Sequence, residues 1–174
     1  MQCQAQMGAS SRAAVKDRNS AGSSGAGRPV LRRYLKGVAV RKPVSVLLVE
    51  DHALLRRELR RTLDDDPDLR VVGEAANGAE GVELAENLHP DVVVMDVSMP
   101  VMDGIQAARR MLAWNPEIAV LILSTNTQES CIKKAFDAGV RGYVIKDAAG
   151  LDLASAVKDA VAGKPVLPCA VPRF

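Results

Sequence analysis

Paired cysteines, aromatic side chains and long apolar runs are all scarce in this chain, and each scarcity excludes something. The three cysteines, Cys3, Cys131 and Cys169, lie far apart and form no CxxC pair. That argues against structural zinc or a disulfide framework and for a reducing compartment. Aromatic residues make up only 3% of the chain, although the 48% apolar content is ordinary for a globular protein. No apolar run approaches the ~18 residues that a membrane span needs. The start of the chain lacks the apolar core of a secretory signal. A cytoplasmic protein with no membrane partner is the expectation.

Acid is what the first segment lacks. Residues 1–43 hold nine Lys or Arg against a single acid, Asp17, leaving 14 of the 23 basic and 20 of the 21 acidic residues in 44–174. The segment is therefore +8 and the remainder −6. Residues 1–28 are rich in Ser, Gly, Ala, Gln and Arg and offer too little apolar surface to offset chain entropy, which predicts disorder. The stretch "VLRRYLKGVAV" at 30–40 reads as a short basic helix or as nothing fixed. Residues 1–43 are open to several readings: a solvated tail, upstream sequence from a wrongly chosen start, an arm for nucleic acid or membrane surfaces, or a transit segment.

From Val44 the pattern becomes regular. Apolar runs at 44–49, 69–75, 91–96, 118–124 and 142–146 read as strands. Between them, apolar residues recur at helical spacing. Leu55, Leu59, Thr62 and Leu63 share one face of the first predicted helix, opposite Arg56, Arg57, Arg60 and Arg61. Asn77-Gly78 is read as a chain turn before a second helix carrying Ala79, Val82, Ala85 and Leu88. Ile105, Ala108, Met111 and Leu112 mark a third helix, closed before Pro116. Ile132, Ala135 and Phe136 mark a fourth, stopped at Gly139, and Leu153, Val157, Ala160 and Val161 a fifth, stopped at Gly163. Strands that are apolar throughout suit a parallel sheet covered on both faces. The prediction is an α/β fold: a single doubly wound (βα)5, flavodoxin-like domain with strand order 2-1-3-4-5. It occupies residues 44–166, after the basic extension at 1–43 and before a tail or linker at 167–174.

The strand ends carry the chemistry. Strand one closes on Glu50-Asp51, strand three on Asp96, strand four on Ser124 and strand five on Lys146. In the predicted order these ends gather at one edge of the sheet. Carboxylates about 4 Å apart repel by about 4 kcal/mol at an effective dielectric near 20, so a proton or a cation must be shared. Oxygen-only ligands favour a hard ion such as Mg²⁺. Lys146 offers a point charge for a phosphoryl oxygen, and an aspartate at a strand end beside both is placed to attack phosphorus.

The motifs "LLVEDH" at 47–52, "VVVMDVSMPVMDG" at 92–104, "LILS" at 121–124 and "GYVIKD" at 142–147, in that order, resemble bacterial response-regulator receiver domains. The resemblance runs from about Val44 to Val166. It implies Asp96 as phosphoacceptor, with Glu50 and Asp51 as the acidic pair. Mg²⁺ would be ligated by Asp51, Asp96 and the backbone carbonyl of Ser98, with Glu50 beside them. Ser124 and Tyr143 are implied as switch residues and Lys146 as the phosphoryl-holding lysine, while Ser98 and Asn126 would tune dephosphorylation. The implied partners are a sensor histidine kinase and a downstream protein or second copy. The latter would be met on the face of helix 4, strand 5 and helix 5, or on that of helices 1 and 5. Such a protein is a signalling receiver rather than an enzyme, catalysing only its own phosphorylation and dephosphorylation.

Finer motifs, "EDHALLR", "AANGAEGVELA", "AGVRGYVIKDA" and "AVAGKPVLP", resemble NarL/FixJ-type receivers, whose helix-turn-helix domain is absent from this sequence. DNA binding is therefore not carried over, and a truncated transcriptional regulator stays open as a reading. The rival on the same fold is an interaction module that works without phosphorylation. A dehalogenase-type hydrolase needs a second acid two residues after its nucleophile, where Ser98 stands. Flavin and nicotinamide carriers need phosphate-cradling loops after strand one, where the chain has Glu50-Asp51. Asp103 is assigned as a helix N-cap and His52 as a helix-start residue. His89 reads as a loop residue, Trp114 as peripheral, Met95, Met99 and Met102 as core or loop filler, and Cys131 as a small apolar residue in a helix.

Overall fold

Alternation along the strands decides the architecture. A computed structural model describes residues 42–146 and 152–168; the segments 1–41, 147–151 and 169–174 lie outside it. The predicted N-terminal extension and the end of the predicted tail therefore fall almost wholly outside the described residues. The element order is β1 (Val44–Val49), α1 (Ala53–Asp64), β2 (Leu69–Ala75), α2 (Gly78–Leu88) and β3 (Val92–Asp96), continuing with α3 (Gly104–Trp114), β4 (Ala119–Ser124), α4 (Glu129–Asp137), β5 (Gly142–Ile145) and α5 (Leu153–Val161). All adjacent strands are parallel, in the order β2-β1-β3-β4-β5. This is the flavodoxin-like (βα)5 sheet.

Successive side chains of a strand point to opposite faces, and both faces here are apolar. On one side Leu47, Val49, Val93, Met95, Val120 and Ile122 meet small and medium residues of α2, α3 and α4, among them Ala85, Ala107, Met111 and Ala135. On the other, Val46, Leu48, Val92, Val94 and Leu121 meet Leu63 of α1 and Val157 and Ala160 of α5. β3, at the centre, is buried at every position. Burying one such valine is worth about 1.5–3 kcal/mol, so the sheet needs no polar face.

Helix ends follow local chemistry. Asn77, Asp103 and Asp152 are N-caps whose side chains accept backbone N–H groups of the first turn. Asn77-Gly78 is thus a helix start rather than a free turn: Asn77 is extended and Gly78 is already helical. Thr62 is corrected too. It is exposed, and its hydroxyl donates back to the Glu58 carbonyl, leaving Leu63 as the buried residue of α1. Gly139 and Gly163 take left-handed backbone (φ 93° and 76°) after α4 and α5. His89 takes the same conformation as the cap of α2, and its ring stacks on Trp114 with centroids 5.2 Å apart.

After Gly163 the chain doubles back along the edge of β5, where Val166 forms a parallel bridge with Gly142. Among the described residues no helix is long and apolar enough to cross a membrane.

Candidate functional site

Strand order places the polar residues. β1 and β3 are neighbours, and the chain leaves them to opposite sides, so a crevice opens at their carboxyl ends. Glu50 and Asp51 directly follow β1, Asp96 ends β3, Ser124 ends β4 and Lys146 follows β5. The loop after β3 is drawn tightly under the site: the Gly104 N–H donates to the Val97 carbonyl at 2.9 Å. A β-carbon at position 104 would stand 2.0 Å from the Asp96 carbonyl oxygen, which is why glycine opens α3. The tip of that loop holds Val101 in left-handed backbone, φ 68°.

Lys146 is the electrostatic centre. Its Nζ lies 2.8 Å from Glu50 Oε2 and 2.9 Å from Asp96 Oδ2. Glu50, Asp96 and Ser124 are the buried polar residues of the described chain, whereas Asp51 and Ser98 are exposed. Burial disfavours the ammonium, yet its hydrogen bonds to Glu50 and Asp96 outweigh that and hold its pKa above the usual lysine value. Asp96 Oδ1 accepts the Val97 N–H at 2.7 Å and Glu50 Oε1 the His52 N–H at 3.2 Å. One oxygen of each buried acid is thus fixed by backbone and the other by Lys146.

The Glu50, Asp51 and Asp96 carboxylates each offer an oxygen within 4.8 Å of the others. At that spacing each pair repels by about 3.5 kcal/mol or more at an effective dielectric of 20. One ammonium cannot neutralise three carboxylates, and all the donors are oxygens. The set fits a hard divalent cation such as Mg²⁺.

Around this centre runs a chain of polar contacts. Ser124 Oγ accepts the Asn126 N–H at 3.1 Å, and the Asn126 carbonyl accepts the Tyr143 hydroxyl at 2.7 Å. The Asn126 side chain is turned to the Gln128 N–H, 2.8 Å away. Tyr143 is fully buried, its ring inward, and burial pushes its hydroxyl pKa up to about 12. Cys131 lies in α4 as the sequence implied, half-buried, and its Sγ accepts from the Tyr143 hydroxyl at 3.7 Å. It helps line a cleft of about 670 Å³ between α3 and α4 that also touches Ser98 and Asn126.

Sequence reasoning set Arg56 on the solvent face of α1, and the structure corrects this. Arg56 is half-buried, donates to the Glu50 carbonyl at 2.5 Å and lies 3.5 Å from Glu74. A helical wheel carries no signal for a long side chain that reaches back over its own N-terminus.

The response regulator receiver domain family matches residues 46–158, and the chain belongs to that family. It is 44% identical over 124 residues to the DNA-binding transcriptional activator DevR/DosR of Mycobacterium tuberculosis, covering 71% of this chain and 57% of that protein. It is 36% identical over 126 residues to the nitrate/nitrite response regulator protein NarL of Escherichia coli K12, covering 72% of this chain and 58% of that one. A LuxR-family two-component response regulator from Aurantimonas matches in structure with a TM-score of 0.69 at 34% identity, over 72% of this chain and 89% of that one. The chain spans less than three fifths of the length of the two curated relatives.

Proposed function

We propose that residues 44–166 form a phosphoacceptor receiver of a two-component relay, with residues 1–43 a separate basic extension and 167–174 a tail or linker. The observation that carries this reading is Lys146 Nζ held between two buried carboxylates, 2.8 Å from Glu50 and 2.9 Å from Asp96, beside exposed Asp51. Asp96 Oδ attacks the phosphorus of a histidine kinase phosphoimidazole. The P–O bond of an acyl phosphate forms as the P–N bond breaks, and its electron pair stays on the imidazole nitrogen. Lys146 leaves Asp96 for a phosphoryl oxygen and so keeps the charge balance. Asp51, Asp96 and the Ser98 carbonyl, with Glu50 beside them, would hold Mg²⁺, which supplies charge neutralisation of the phosphoryl group when bound.

The Ser124 hydroxyl donates to a phosphoryl oxygen and in doing so draws on Asn126, and through it on Tyr143. The interaction face changes as a result, either α4–β5–α5 or α1–α5. Ser98 and Asn126 flank the route of the water that later attacks phosphorus, releasing inorganic phosphate and restoring the Asp96 carboxylate. The family supports the signalling role, and the described relative that binds DNA supports output through a transcriptional regulator.

The test is intact mass after incubation with acetyl phosphate. One phosphoryl adduct should form with Mg²⁺, none with chelator, and none in Asp96→Asn. An adduct that persists in a folded Asp96→Asn would remove Asp96 from its role. No adduct in the folded wild type would favour an interaction module that works without phosphorylation.

A further inference from the structure

Tyr143 is held at both ends, and the two holds lead to different parts of the molecule. Its hydroxyl donates to the Asn126 carbonyl in the loop after Ser124 at 2.7 Å. Its backbone N–H donates outward, away from the sheet, to the Val166 carbonyl at 2.9 Å, and the Val166 N–H returns a bond to the Arg141 carbonyl at 3.1 Å. The segment after α5 is thus a one-bridge sixth strand lying on the edge of β5.

Its grip is short by construction. Gly163, with φ 76°, reverses the chain, and prolines at 165 and 168 bracket Val166 and donate no hydrogen bond. The pairing therefore cannot extend into a full ladder. Glycine at 142 fits the same contact, because a β-carbon there would lie 2.6 Å from Val166 Cβ. Val166 packs against the core face that α1 and α5 cover.

We infer that residues 164–168 are a releasable strap whose seating is set by Tyr143, so that events at Asp96 pass to the chain beyond residue 168 through the backbone of β5. The inference rests on the phosphoacceptor reading for its trigger. The element with two states is the strap, seated or released, and both Tyr143 and whatever follows the strap bias it.

The experiment is amide hydrogen exchange at Val166, resolved by NMR on the full chain. With acetyl phosphate and Mg²⁺, and with the Asp96 adduct verified by mass, exchange at Val166 should rise about fivefold or more as the bridge opens. An unchanged rate in adduct-bearing protein overturns the strap. If no adduct forms, the phosphoacceptor reading fails and the strap is decided without a phosphodonor. Tyr143→Phe deletes only the hydroxyl hold, and it should raise Val166 exchange severalfold relative to wild type. An unchanged rate there overturns the strap independently. By linkage, Val166→Pro, which deletes the returned hydrogen bond, should tighten binding of the phosphoryl mimic beryllofluoride about threefold. Equal affinity would overturn the inference from the other end.

Discussion

Removing the Lys146 ammonium would leave Glu50 and Asp96 buried and facing one another, and breaking a buried ionic contact costs about 3–5 kcal/mol. Lys146→Met should lower the urea midpoint accordingly in the absence of divalent cation. Mg²⁺ should then restore more stability to the variant than to wild type, since the variant presents three uncompensated carboxylates. No stabilisation of either protein by Mg²⁺ would mean that the cluster does not share a cation. Val101 makes an opposite case. It is 85% exposed, so its left-handed backbone gains nothing from packing. A β-branched residue there costs about 1–2 kcal/mol, and asparagine tolerates the conformation. Val101→Asn should raise stability by about 1 kcal/mol, measured as a higher urea midpoint at unchanged slope. A lower midpoint would show that the valine side chain does something its exposure hides.

The elements were legible where a single local pattern decided them. Buried runs such as "VVVMD" and "AVLILS" announce strands by length alone, and Asp103 and the glycines at 139 and 163 announce helix ends. The gathering of the candidate residues was legible because strand order converts four distant chain positions into neighbours, so bringing Glu50, Asp96, Ser124 and Lys146 together needed only the topology, while their roles rest on the resemblance. What escaped depended on side-chain reach or on a shift of a single residue. Arg56 folds back over its helix start, Thr62 turns outward beside a buried Leu63, and Asn77 caps a helix where a turn was expected. Gly104 did not escape: the sequence marks it as a shape-setting residue of the loop and following helix, and the reason for it lies in a carbonyl eight residues upstream. Gly104→Ala must push the start of α3 away from Asp96 by more than 1 Å. The expected outcome is a folded but weakly labelled protein, seen as a Mg²⁺-dependent acetyl phosphate adduct reduced at least tenfold, the scale on which misplacement of a reacting group is felt. Wild-type labelling would mean that the loop relaxes at no cost to Asp96.

Alkaline titration tests the domain as a whole. In the unfolded chain a tyrosine hydroxyl loses its proton near pH 10, whereas in the folded protein Tyr143 holds its proton to about 12. Between those values the unfolded state binds fewer protons, so stability falls as pH rises, by ~2–3 kcal/mol if this group acts alone. Lys146 works in the same direction: its raised pKa gives stability that is complete below the ordinary lysine range and fades as pH climbs through the folded value. Tyr143→Phe should therefore flatten, without abolishing, the loss of stability between about pH 10 and 12. The check is urea unfolding across that range, and an unaltered slope would show that the buried ring does not govern the titration.

The stacked pair at the far ends of α2 and α3 has a practical meaning. α3 begins against Asp96 and ends at Trp114 after 11 residues, a separation of about 16 Å along the axis. The chain has one tryptophan, and its indole lies flat on the His89 imidazole at the opposite pole from the acidic cluster. Tryptophan emission from this protein is thus a gauge of whether the domain is assembled, read about 16 Å from the crevice. A ligand titration followed by tryptophan emission should therefore change little, and a large change would show that occupancy of the crevice reaches the far end of α3.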